Sequence, residues 1–137
     1  MPDTPTKIDK LRRDGPRTTV ALNVPGTGIW VPGEALIDTG AGTSVVCPVL
    51  GYRLFEGRAA DNHAPFHDLI CGHRLEASLF RISIQTEGQQ YDVEAIKAWT
   101  KIGYDLLIVL GRDVLRWAPL AYDGTTGDHD VQFHPPK

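Results

Sequence analysis

The sequence has little that would draw it to a membrane or a nucleic acid. Its 14 Lys and Arg are outnumbered by 17 Asp and Glu, so the net charge is −3 and no global positive field attracts phosphate. No apolar run approaches the roughly 20 residues that a membrane helix needs, and residues 1–15 lack the apolar core of a secretion signal. The expectation is a cytoplasmic protein with no nucleic-acid and no membrane partner. Cysteine is scarce too: Cys47 and Cys71 are the two in the chain, and a reducing compartment would keep them as thiols in or near the core.

What is present is ordinary globular material. Hydrophobic residues make up 42% and charged residues 23% of 137 positions, which excludes wholesale disorder and suits one domain with a real core. Residues 1–16 stand apart: Pro2, Pro5 and Pro16 interrupt a basic cluster of Lys7, Lys10, Arg12 and Arg13, and neither helical nor strand periodicity shows. They read as a flexible N-terminal arm, leaving residues 17–137 as a single domain.

Within that domain the apolar pattern is that of strands. Residues 18–24 form a β-prone run ended by Pro25-Gly26-Thr27-Gly28, and a second run, Glu34-Ala35-Leu36-Ile37, follows Pro32-Gly33. Residues 74–85 alternate with a phase slip at Leu79-Phe80, which predicts a long strand with a bulge there. Another alternating stretch covers residues 91–98, and Leu106-Leu107-Ile108-Val109-Leu110 reads as a buried central strand. A short helix over residues 112–117 is closed off by Pro119, and residues 124–128 predict a hairpin loop between Leu120-Ala121-Tyr122 and Val131-Gln132-Phe133.

The chemistry concentrates where Ala35-Leu36-Ile37 runs into Asp38-Thr39-Gly40-Ala41-Gly42-Thr43-Ser44. A carboxylate at the end of a buried strand is costly unless something uses or satisfies it. The small residues after it let the backbone turn tightly and bring N–H groups to the carboxylate, while Thr39 adds a hydroxyl. Turn formers alone also produce Asp-Thr-Gly. About seventy residues on, however, the apolar strand ending at Leu110 enters Gly111-Arg112-Asp113.

Together these two segments resemble the retropepsins, the aspartic peptidases of retroviruses, retroelements and their bacterial relatives. The likeness covers residues 18–133, and Tyr122-Asp123-Gly124 is similar to the bacterial branch in particular. It implies an all-β fold, a closed acid-protease β-barrel with one short C-terminal helix. It also implies an aspartic endopeptidase, a hydrolase needing no metal and no cofactor, with Asp38, Thr39 and Gly40 as the catalytic segment and Gly111, Arg112 and Asp113 as its support. Substrate would be an extended peptide between floor and flap, touching Ala41, Val45 and Val109 below and Ile70, Cys71 and Gly72 at a flap tip near residues 70–73. In the family Arg112 braces the loop through an acid four positions past the catalytic Asp. That position here is Gly42, so the brace is either missing or supplied by another acid, Asp113 or one from a partner chain.

One chain carries one Asp-Thr-Gly, and hydrolysis without metal or covalent nucleophile needs both an acid and a base. A two-fold homodimer supplies the second Asp38 and brings the Thr39 hydroxyls together across the axis. Two other readings compete. His63, His67, Cys71 and His73 are all zinc-capable, although Pro65 interrupts the helix that would align the first pair and no second cluster exists. A catalytically silent dimer of the same fold, binding peptides or protein partners without cutting them, is the alternative to the enzyme.

Overall fold

The computed structural model describes residue 4 and residues 15–48, 52–67, 74–97, 106–123 and 125–137. The first strand, β1 (Arg17–Asn23), pairs antiparallel with β2 (Val31–Ile37), Arg17 opposite Leu36. Between them Gly26 and Gly28 take φ values of +89° and +69°, which only glycine adopts without strain. The Thr27 hydroxyl closes that turn by donating to the Val24 carbonyl at 2.8 Å.

The ladders then close on themselves. β2 runs parallel to β7 (Leu106–Leu110), β7 antiparallel to β3 (Val45–Val46), β3 parallel to β6 (Gln90–Lys97), β6 antiparallel to β5 (Arg74–Gln85), and β5 returns to β1. Those six strands make a closed barrel, and β4 (Asn62–His67) is added outside on β5. The expected all-β closed barrel is what the chain forms. Closure leaves no open edge in the ring, as a small barrel requires.

The central strand is legible in its composition. All five residues of β7 are buried, with β2 and β3 pairing on either side, so Leu106 to Leu110 can be apolar on both faces. Leu107, Ile108 and Leu110 join Val20, Leu22, Ala35, Phe80, Ile82, Ile84 and Tyr91 in one core, where the Phe55 and Phe80 rings stack at 4.4 Å. The short helix α1 (Arg112–Leu115) follows β7 at once, and Val114 docks it into that core.

Two sequence expectations change. No bulge interrupts β5: its ladder with β6 runs unbroken from Leu79↔Ile96 to Gln85↔Gln90, and with β4 from Asn62↔Leu79 to His67↔Arg74. The phase slip marks instead where the strand passes from the outer hairpin, burying Ala77, into the barrel, burying Phe80, Ile82 and Ile84. The C-terminal hairpin pairs β8 (Leu120–Tyr122) with β9 (His129–Val131), two residues earlier than residues 131–133. Asp123 causes the shift. Its carboxylate accepts the Thr125 and Thr126 N–H groups and its backbone bonds Asp128 and Gly127, which ends the loop sooner.

Cys47 lies in a smaller core cluster with Leu106 and Val109, covered by Leu36 and Val45. Burial there raises its thiol pKa from 9.0 to about 11. Because the folded-state value is the higher one, the thiol's contribution to stability is complete below pH 9.0 and is lost as pH climbs through about 11. In a Cys71→Ser background, Cys47 should resist a thiol reagent at neutral pH until the chain unfolds. Cys47→Ala should remove part of the alkaline loss of stability seen in denaturant titrations.

Candidate active site

The segment carrying Asp38 leaves the barrel where β2 ends and is tied down at once. The Asp38 N–H donates to the Leu110 carbonyl at 3.0 Å, extending the β2–β7 ladder by one bond, and the Asp38 carbonyl accepts the Ala41 N–H at 3.2 Å. Its side chain is then captured from within the turn: Oδ1 accepts the Gly40 N–H at 2.9 Å. Asp38 is half-buried while Thr39 and Gly40 are exposed, so the carboxyl stands at the surface on a rigid base. Gly40 is small for a reason, since a Cβ there would come within 3.1 Å of Asp38 Oδ1.

The second segment grips the first along its length. The Arg112 N–H donates to the Ala41 carbonyl at 2.8 Å and its Nη1 to the Thr39 carbonyl at 2.8 Å. Asp113 holds the far end, with Oδ2 accepting the Ser44 N–H at 2.9 Å and Oδ1 the Ser44 hydroxyl at 2.7 Å, while Ser44 Oγ accepts the Gly111 N–H at 3.0 Å. So close an approach needs glycine at 111: an added Cβ would lie 2.8 Å from the Thr43 carbonyl carbon and 2.9 Å from the Ala41 oxygen.

Among the described residues Arg112 is thus held to backbone carbonyls and not to the acid that the resemblance led one to expect. Arg112 turns to a carbonyl, its Nη2 passing 3.4 Å from where a Gly42 Cβ would sit. Asp113, suggested above as a substitute acid, has both oxygens taken by Ser44 and does not fill that role.

Of the residues assigned to peptide contact, Ala41 and Val45 flank the loop half-buried. Val109 lies deeper, 5% exposed, with Leu36 and Val45 opposite it on the two neighbouring strands. Ile70, Cys71 and Gly72, with the flap tip, lie outside the described residues, as do the side chains of His67 and His73. The β4–β5 ladder runs as far as His67↔Arg74. His63 stands on that hairpin with Glu76 at 3.5 Å. Among the described residues no three His, Cys, Asp or Glu side chains gather to hold a metal, and no helix is long and apolar enough to cross a membrane.

Sequence reasoning missed two participants. Ser44 is fully buried, and nothing local announces its partner 69 residues away. Tyr122, 51% exposed at the end of β8, lies within electrostatic reach of Asp38: partial burial and then the Asp38 charge raise its phenol pKa. It belongs to the Tyr122-Asp123-Gly124 stretch that the sequence itself singles out.

Comparison with family models and with curated proteins gives no match. Among solved structures, the chain is similar to the EIAV protease complexed with the inhibitor HBY-793, at 26% identity over 74% of this chain and 85% of that one, with a TM-score of 0.51. It also matches the solution structure of Simian Foamy Virus (mac) protease, at 13% identity over 73% and 93% of the two chains, with a TM-score of 0.47. The fold is thus that of the retroviral proteases.

Gly111→Ala should lower stability by about 1–3 kcal/mol in urea titrations, because backbone rather than a flexible side chain blocks the new methyl. Asp38→Asn should lower the Tyr122 pKa by removing a negative charge and leave that of Tyr91 in place, read by NMR titration of the tyrosine rings.

Proposed function

We propose that the chain is an aspartic endopeptidase of retropepsin type, active as a homodimer in the cytoplasm, that hydrolyses extended peptides with water activated between two Asp38 carboxyls. The observation that carries this reading is the Asp38 loop itself, a half-buried residue at a strand end whose carboxyl is held by the Gly40 N–H and whose backbone is held by Leu110, on a fold shared with a retroviral protease. Tyr122-Asp123-Gly124 favours kinship with the bacterial members.

The chemistry explains why two copies are needed. Two carboxylates about 4 Å apart repel by about 4 kcal/mol at an effective dielectric of about 20, so the pair keeps one proton between them, as is established for aspartic-protease dyads. The ionised member takes a proton from water while the protonated one donates to the substrate carbonyl oxygen; their roles then reverse as the amine leaves. Neither step calls for a metal or cofactor. Thr39, exposed beside Asp38, would meet its symmetry mate in such a dimer, and Arg112 holds the carbonyl of that same Thr39. Substrate would lie over Ala41 and Val45, with the β4–β5 hairpin as cover that excludes water.

Asp38→Asn should reduce cleavage of an unstructured peptide library by about 10²–10⁴-fold while the protein still sediments as a dimer. Mass spectrometry of the digests reads the first and ultracentrifugation the second. An unchanged rate would refute the assignment. A wild-type dimer that cleaves nothing between about pH 4 and 7, and ignores a statine-type mimic, would favour the silent peptide-binding alternative.

A further inference from the structure

Asp113 is an acid placed next to the candidate catalytic loop that the mechanism above does not use. Its surroundings explain what a carboxylate does there. Oδ2 accepts the Ser44 N–H, and Oδ1 accepts both the Ser44 hydroxyl and the Val114 N–H. Three donors converge on two oxygens, which only an acceptor-only group satisfies; a carboxamide would turn N–H against N–H.

Ser44, fully buried, is equally committed. Its hydroxyl donates to Asp113 and accepts from the Gly111 N–H, and its carbonyl takes the Ile96 N–H at 2.9 Å. Removing the hydroxyl would leave the Gly111 N–H buried without an acceptor.

These bonds tether one end of a seven-residue loop, 38–44, and the Asp38 N–H bond to Leu110 tethers the other. Both tethers land within four consecutive residues, 110–113. The loop therefore moves as a body with that segment, and the Asp38 carboxyl goes with it. The β4–β5 hairpin, by contrast, hangs from separate ladders.

Resting on the peptidase reading, we propose that the Asp113–Ser44 clasp is a positioning device that sets where the Asp38 carboxyl stands relative to its partner, so that loosening it lowers turnover while sparing substrate affinity. Dyad chemistry depends on sub-ångström placement of the two carboxyls, whereas peptide binding is spread over strands and hairpin.

The test compares the full-length dimer with Asp113→Asn, Ser44→Ala and the double variant. Each single change should lower kcat by about 10–100-fold with KM within about twofold, and the double should be no worse than the poorer single by more than about threefold. Unchanged kcat in both singles, a loss confined to KM, or losses that multiply in the double would each overturn the proposal. Amide exchange measured by NMR gives a readout that needs no turnover: Ser44 and Gly111 should lose protection in Asp113→Asn while Ile108 and Leu110 keep it. If wild type cleaves nothing, the peptidase reading falls and amide exchange alone decides the clasp; retained Ser44 protection in Asp113→Asn would sink it in either case.

Discussion

Everything else in this molecule is arranged around one contact, the place where the backbone after β7 comes against the backbone after β2. At Gly111 the two chains approach so closely that a methyl group would collide with the Thr43 and Ala41 carbonyls. Closeness at that point lets Arg112 reach the Thr39 and Ala41 carbonyls and lets Asp113 reach Ser44. The parallel pairing of β2 with β7 sets up the meeting, because parallel strands deliver their following loops to the same end of the sheet.

The barrel supplies the stiffness this contact needs. β7 is buried along its whole length and paired on both sides, so Leu110 and Gly111 leave the core from a fixed point. Val114 pins the first turn of α1 into the same core. The Asp38 carboxyl thus stands where the fully buried strand β7 meets the buried end of β2 at Ala35 and Ile37, and the burial of these apolar residues offsets the cost of ordering a loop rich in glycine.

Sequence reading recovered the parts that depend on local pattern. β propensity found β1, alternation found β5 and β6, continuous apolarity found β7, and small residues around Asp38 found the loop. Long-range partners escaped it. Ser44 and Asp113 each look like ordinary turn residues in their own neighbourhoods, and only the fold brings them to 2.7 Å. The same holds for Arg112, whose acceptor is a backbone carbonyl and so leaves no side-chain signature. Periodicity misled at Leu79, where a change of covering layer has the same look in sequence as an inserted residue. Likewise, the hairpin between β8 and β9 closed early because the Asp123 carboxylate caps its loop, a contact that counting apolar residues does not see.

The change of layer along β5 has a mechanical side. One continuous strand serves both the outer hairpin and the barrel wall, and Leu79 is the residue where the ladder to β4 ends and the ladder to β6 begins. Downstream, Ser83 to Gln85 is clamped by β1 and β6 together. The outer hairpin thus reaches the barrel wall through a single continuous strand, and a load applied to β4 is handed to β6 and β1 by way of Leu79.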